Sequence, residues 1–480
     1  GGYNIRLPIG SFTTADLAAY GITNDDISSF KVNSGYKVTV YNDNNFSGTS
    51  TSYTSDQSNV GSTYNDQISS IKIYKSTTAP AATFYPDVNF GGFPAALPLG
   101  TFTADELAAY GIKNDDITSL KINSGYRVVL YTDNNFSGTS VTYISDQSWI
   151  GDYNDKISSI QIYKYSSSPE ATFYHDVNYG GSSVGLPQGT YTAEEMAAYG
   201  IKNDDITSLK INSGYRVVLY TDNNFSGTSI NYTSDQSWIG DFNDKISSVQ
   251  IYKYSSSPVS TFYSDVNYGG SSIGLPLGTY TTADLASYGI KNDDITSLKV
   301  NSGYKVIAYM DNNFGGSSVS YTSDQSNVGT TYNDEISSIQ IYRYSANGAA
   351  TCYSDINYGG FAAGLPLGTY TTSELAEYGI QNDDITSIKV NSGYKVIAYM
   401  DNNFTGTSVS YTSDQSNVST TYNDKISSIQ IYRYSTVAVA TFYADANYTG
   451  FAAPLPPGTY TLSQLHQYAL TATRITPLTP

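Results

Sequence analysis

The chain has little of what active sites and cross-links are usually made from. Its 480 residues include one cysteine, two histidines, three methionines and two tryptophans. A single cysteine excludes a disulfide framework. Cys352 stands in a slot that Phe173 and Phe262 fill elsewhere, so it reads as a small buried hydrophobe. His175 and His466 neither recur nor fall in a triad pattern. His175 replaces Pro86 or Ser264 beside a turn and reads as surface decoration. Positive charge is scarce too: the net charge is -18 and the pI about 4.3, which argues against nucleic acid or an anionic membrane as partner. No apolar run approaches the ~18–20 residues of a membrane span, so no membrane insertion is expected. No signal peptide is visible, although the chain opens in mid-repeat, where a leader would already be lost.

What the chain does have is repetition, which is read before anything else. Segments beginning Thr83-Phe-Tyr recur at Thr172, Thr261 and Thr441, with Thr351-Cys-Tyr between, a period of 89 or 90 residues. A hexapeptide Asn-Asp-x-Ile-Ser/Thr-Ser occurs ten times, twice per period, from Asn24–Ser29 and Asn65–Ser70 to Asn382–Ser387 and Asn423–Ser428. A carboxylate, an amide and two hydroxyls packed this closely are hard oxygen donors, the set a Ca2+ ion prefers. Ten divalent ions would nearly cancel the net charge. The same residue types also form Asx and ST turns on their own backbone. Recurrence at fixed offsets favours the metal.

A unit of about 90 residues can fold alone. The expected units are 1-79, 80-168, 169-257, 258-347 and 348-437, followed by a half-motif over 438-480. Within 80-168, Thr83–Gly92 alternates and turns on glycine, as a strand entering a hairpin does. Thr103 and Glu106 form a capping box, and Leu107–Tyr110 is one helical turn stopped by Gly111. Leu120–Ile122 and Tyr126–Tyr131 read as strands, Tyr131–Ser140 as a second hairpin, and Val141–Tyr143 and Ile160–Tyr163 as further strands. Short strands with Gly and Asn turns throughout predict an all-β fold of antiparallel Greek-key sandwiches, low in helix. Connectors such as Ser166–Pro169 are short, so neighbouring units are expected to sit close.

Each hairpin carries aromatic-x4-aromatic-x-Gly, as in Tyr85, Phe90, Gly92 and in Tyr131, Phe136, Gly138. Paired with the downstream hexapeptide, this resembles the βγ-crystallin superfamily, specifically its microbial calcium-binding members, over nearly the whole chain. The resemblance implies tandem two-Greek-key β-sandwich domains, beads on a string, each binding up to about two Ca2+ ions between the loops at one end, every ion in a clamp drawing on both motifs. By that resemblance Asp115 and Thr118 supply side-chain oxygens, Asp116 a backbone carbonyl, and the partner hairpin further carbonyls. The second clamp would use Asp155, the Lys156 carbonyl and Ser158. Carried along the chain, the implied ligands are Asp25, Asp26 and Ser28 with Asp66, Gln67 and Ser69, then Asp204, Asp205 and Thr207 with Asp244, Lys245 and Ser247. They continue as Asp293, Asp294 and Thr296 with Asp334, Glu335 and Ser337, and end as Asp383, Asp384 and Thr386 with Asp424, Lys425 and Ser427. The isoleucine between them is expected to point inward. Few carboxylates per site predict modest affinity, roughly 10⁻⁴–10⁻³ M.

Catalysis has little to stand on, and no enzyme is expected: adjacent acids such as Asp115-Asp116 cannot flank a substrate. Tyrosine, 48 residues in all, reads mainly as aromatic core, with some rings free to stack on sugars. Sequons at Asn45, Asn135 and Asn403 lie inside the hairpin motif and are weak glycosylation signals. The ends differ from the rest. Gly1-Gly2 aligns with Gly91-Gly92, so the first unit is expected to lack its opening strand, while Thr441–Tyr448 is a surplus copy of it. Donation of that strand to the next molecule would repair both ends and give head-to-tail self-association. Thr471–Pro477 stands where a clamp motif should be and is expected to hold no calcium in the usual way. The expectation is a secreted, extracellular calcium-binding structural protein, a filament or matrix subunit. The alternative is a calcium-dependent carbohydrate-binding adhesin.

Overall fold

The structure is a computed structural model that describes residues 4–445, 447 and 449–470. Two compact units divide the chain, Gly1–Ile251 and Tyr252–Pro480. The second repeat, in the first unit, shows how local sequence builds the fold. Strand β1 (Ala82–Tyr85) turns through Val88–Phe90 and pairs with β2 (Ala95–Leu97). Strand β3 (Gly100–Phe102) leads into α1 (Ala104–Ala109). Then follow β4 (Ser119–Ile122), β5 (Tyr126–Asp133), β6 (Ser137–Tyr143) and β7 (Ser159–Lys164). They form a three-stranded sheet, β2-β1-β4, and a four-stranded sheet, β6-β5-β7-β3, all antiparallel. Strand β3 leaves the first half to pair with β7, and this crossover locks the two halves together.

Alternation along the strands sends one face of each sheet inward. Phe84 is opposite Leu120, Ile160 opposite Leu130 and Phe102, and all are buried between the sheets with Leu97, Leu107, Ile117 and Ile157. The helix is only six residues long and survives because Leu107 is buried and its N-terminus is capped. Thr103 N–H donates to Glu106 Oε2 at 2.8 Å. Gly111 then turns at φ 87°.

The third repeat repeats both sheets in the first unit, and the fourth and fifth do so in the second. Cys352 takes the Phe84 position, buried opposite Ile388, and burial pushes its thiol up to about 12. Tyrosines enter the cores at Tyr191, Tyr280, Tyr321, Tyr370 and Tyr411 and line the core rims elsewhere. Most are half-buried rim residues in edge-to-face pairs such as Tyr131 with Phe136. A phenol needs a partner for its hydroxyl, as Tyr143 finds in the Ile150 carbonyl at 3.1 Å.

The first repeat has, among the described residues, only its four-stranded sheet, and Phe30 makes an isolated bridge to Gln57. The last segment is a hairpin of β8 (Ala440–Asp445) and β9 (Thr449–Leu455) followed by a short helix, Leu462–His466. Gly1-Gly2, Tyr448 and the degenerate motif at 471–477 lie outside the described residues. No helix among the described residues is long and apolar enough to cross a membrane.

Candidate metal centre

Each hexapeptide bends at its second residue. The ten aspartates there, Asp25 through Asp424, all have φ between 53 and 59°, a left-handed conformation that Asp tolerates better than most residues. The preceding asparagine holds the carboxylate, with Asn114 Nδ2 donating to Asp115 Oδ2 at 2.7 Å and Asn154 Nδ2 to Asp155 Oδ2 at 2.6 Å. Two residues on, the isoleucine pins the loop to the core: nine of the ten are buried, and Ile27 of the first repeat is half-buried. In the second repeat the two loops are tied reciprocally, Asp115 N–H to the Ile157 carbonyl and Asp155 N–H to the Ile117 carbonyl, at 3.2 and 3.3 Å, and the third repeat has the same pair.

That arrangement decides which oxygens meet. Thr118 Oγ1 donates to Asp155 Oδ1 at 3.4 Å, and Ser158 Oγ to Asp115 Oδ1 at 3.3 Å. The same crossing joins Ser28 to Asp66 and Ser69 to Asp25 in the first repeat, and Thr207 to Asp244 and Ser247 to Asp204 in the third. It joins Thr296 to Asp334 and Ser337 to Asp293 in the fourth, and Thr386 to Asp424 and Ser427 to Asp383 in the fifth. Each carboxylate therefore meets the hydroxyl of the other motif. In the second and third repeats, head-to-tail backbone pairing of the loops sets this arrangement.

Third-position residues behave differently in the two motifs. Asp116, Asp205, Asp294 and Asp384 are half-buried, while Asp26 is exposed. Burial first, then the charges of Asp424 and Asp355, raise the Asp384 carboxyl above its ordinary value. In the second motif, Lys156 and Lys245 swing away to the carbonyls of Asp152 and Asp241, Gln67 donates to the Asp66 carbonyl, and Glu335 and Lys425 are exposed.

Three features of these loops were not named among the implied ligands. One is the hairpin aspartate, Asp87, Asp176, Asp265 or Asp355, which recurs two residues after the first hairpin tyrosine. A cleft in the third repeat is lined by Asp176, Asp204, Asp205, Thr207 and Asp244, and one in the fourth by Asp265, Thr296, Asn333 and Asp334. Another is the sixth-position serine. Ser119 Oγ donates to the Asp87 carbonyl at 2.6 Å and accepts from Phe90 N–H at 3.1 Å, stapling the hairpin to the motif. Last, Asn154, Asn243, Asn333 and Asn423 each bury an Oδ1 with no hydrogen-bond partner. His175 is also more than decoration: it lines the third-repeat cleft with Nδ1 3.3 Å from Asp205 Oδ2, because the hairpin abuts the motif loop.

Among the described residues, no three carboxylate, imidazole or thiol groups converge as a metal cluster on their own. A cation here would draw on one or two carboxylates plus hydroxyls, amides and carbonyls, a donor set that suits a hard divalent ion and not a soft one. The buried, unpartnered asparagine oxygens fit that demand.

Comparison with known proteins agrees with this architecture. Development-specific protein S of Myxococcus xanthus is 35% identical over 169 residues, 35% of this chain and 97% of that protein. Its homolog in the same organism is 34% identical over 170 residues, with the same coverage of 35% and 97%. A crystal structure of a betagamma-crystallin domain from Flavobacterium johnsoniae is 47% identical, covering 18% of this chain and 99% of that one, with a TM-score of 0.18. The Beta/Gamma crystallin family model matches residues 127–211, 216–300 and 305–390, more than half of the sequence, and the chain belongs to that family.

Proposed function

We propose that the chain is a calcium-binding structural protein, with up to about two ions held between the paired motif loops of each repeat. The reciprocal crossing carries this reading. Each candidate site takes a carboxylate from one motif and a hydroxyl from the other, so it is complete only when both halves of the repeat are folded together. The second-position aspartate, the fifth-position serine or threonine of the other motif, and the third-residue and hairpin carbonyls are the proposed ligands. Calcium would neutralise the carboxylates that crowd Asp384 and favour the folded repeat. The folding units proposed are those of the repeat, since separate cores form within 81–162, 171–251, 259–341 and 349–431. Isothermal titration of the chelator-treated chain tests the reading. Saturable calcium binding with higher thermal stability is expected. Equal unfolding temperatures in chelator and in millimolar calcium would overturn it.

The proposed setting is extracellular, where millimolar calcium matches sites of modest affinity. Self-association is proposed through the edge of β8. Among the described residues β8 pairs only with β9, and Phe442 is 45% exposed where its counterpart Phe84 is 1% exposed. The matching acceptor is the segment around Phe30 in the first repeat of another copy, giving head-to-tail growth. Negative-stain microscopy with and without calcium, on the chain and on Phe442→Glu, checks it. Short particles of one size in every condition would refute assembly.

One observation favours a second reading, a calcium-dependent carbohydrate adhesin. Trp149 and Trp238 are 59% and 58% exposed, and each sits beside an isoleucine whose N–H donates to the backbone carbonyl of the fifth-position threonine, Thr118 or Thr207. Calcium-dependent quenching of their fluorescence by a glycan would support it.

A further inference from the structure

Two positions outside the hexapeptides vary together along the chain. The second residue of the strand that opens with Tyr36, Tyr126, Tyr215, Tyr304 or Tyr394 is Lys37, Arg127, Arg216, Lys305 or Lys395. The residue after the hairpin glycine of the following repeat is Phe93, Ser182, Ser271, Phe361 or Phe451. Lysine is always followed by phenylalanine and arginine always by serine.

Within each unit the structure gives the reason. Lys37 Nζ lies 4.5 Å from the Phe93 ring centre, Lys305 Nζ 4.7 Å from that of Phe361, and Lys395 Nζ 4.1 Å from that of Phe451. Each pair bridges one repeat to the next. The ring also meets a tyrosine of the preceding repeat edge-on, Tyr342 with Phe361 and Tyr432 with Phe451. Arg127 behaves otherwise. Its Nη2 donates to the Tyr199 carbonyl of the next repeat at 2.9 Å while its guanidinium carbon lies 5.2 Å from the Tyr163 ring centre. Lysine is a compact point charge that gains from a ring face, whereas the arginine fork reaches the carbonyl and fills the volume itself. Burial lowers the pKa of Lys37, Lys305 and Lys395, so these ammonium groups depend on what faces them.

The glycine after the short helix belongs to the same contact in the second, third and fifth repeats. A Cβ on Gly111 would lie 2.8 Å from Tyr74, and one on Gly379 would lie 2.5 Å from Phe361 and 3.0 Å from Tyr342. A Cβ on Gly200 would lie 2.9 Å from the Arg127 guanidinium. At these junctions within each unit, one repeat offers a cation and a tyrosine, and the next answers with a bare glycine and a matched residue.

We propose that this coupled pair, lysine with phenylalanine or arginine with serine, is the specificity determinant by which one repeat docks on the next. The two junction types are not interchangeable, and the order of repeats along the chain is therefore constrained. Docking of this kind uses no residue of the hexapeptides.

Full-length chains carrying Lys305→Arg, Phe361→Ser or both test this by hydrogen exchange, read at Arg343 and at the helix Thr372–Glu377. Arg343 pairs with Glu377 of that helix across the junction. Each single change is expected to speed exchange about tenfold, and the double change to return it to within about twofold of the parent. Multiplying losses in the double variant, or unchanged exchange in the single ones, would overturn the proposal. If amides of the core strand Ser387–Val390 also open, the repeat itself has loosened. The reverse exchange in the first unit, Arg127→Lys with Ser182→Phe, then decides by the same criterion.

Discussion

If the candidate sites cross between motifs, removing oxygens from the two loops has a pattern that a site within one motif cannot give. Thr118 and Asp155 would share one site, and Asp115 and Ser158 the other. The two tryptophans report on separate repeats, and Asn occupies the same place at Asn59, Asn327 and Asn417, so Trp238→Asn leaves Trp149 as the single probe of the second repeat. At about 10 mM calcium and a Kd near 10⁻³ M, one site stabilises the repeat by about 1.4 kcal/mol. For a repeat of this size, that shifts its transition by about 6–11 °C. The hydroxyl contacts are long, 3.3 and 3.4 Å, so either hydroxyl deletion in chelator costs no more than about 1 kcal/mol. Thermal unfolding followed at Trp149 should therefore fall by one site's worth in Thr118→Ala, in Asp155→Ala and in their double variant. Asp115→Ala with Thr118→Ala should fall by two. The opposite pattern, with Asp115 and Thr118 non-additive, would refute the crossing.

Ser159→Ala strips the acceptor from Phe136 N–H (2.9 Å) and the donor from the Asp133 carbonyl (2.7 Å), and should cost about 1–3 kcal/mol in chelator as in calcium, measured by urea unfolding. Gly138→Ala should destabilise the second hairpin by more than about 1 kcal/mol in the same assay, since φ is 77° and its Cβ would lie 2.5 Å from Thr132 Oγ1. Acid should weaken the helix caps. Bonds from the Thr103 N–H and hydroxyl hold the Glu106 carboxyl below its ordinary value, so its contribution is present above the usual glutamate range and lost as pH falls through the lowered value. Glu106→Gln, the residue found at Gln464 of the last helix, should flatten the acid response of exchange at Ala104–Ala109.

How much of this was legible in the chain can be argued residue by residue. The sheets followed from alternation around Phe84, Leu120 and Ile160, and the helix from the Thr103–Glu106 box, because those signals act over a few neighbouring residues. The ten motifs and their isoleucine anchors were equally plain, since repetition at a fixed period is itself a sequence property. Motif spacing said nothing about which loop faces which. Asp115 meets Ser158, 43 residues away, only because the backbones of the two loops pair head to tail after the strands are in place. The staple made by Ser119 was invisible for the same reason: its partners, Asp87 and Phe90, lie about thirty residues upstream. The covariation of Lys305 with Phe361 was present in the letters but had no meaning until docking of the repeats brought ammonium and ring together. Sequence alone determined the local elements, the repeat and the donor chemistry. Tertiary structure decided the pairing, because contacts across loops and between repeats are set by how folded backbones pack and not by distance along the chain.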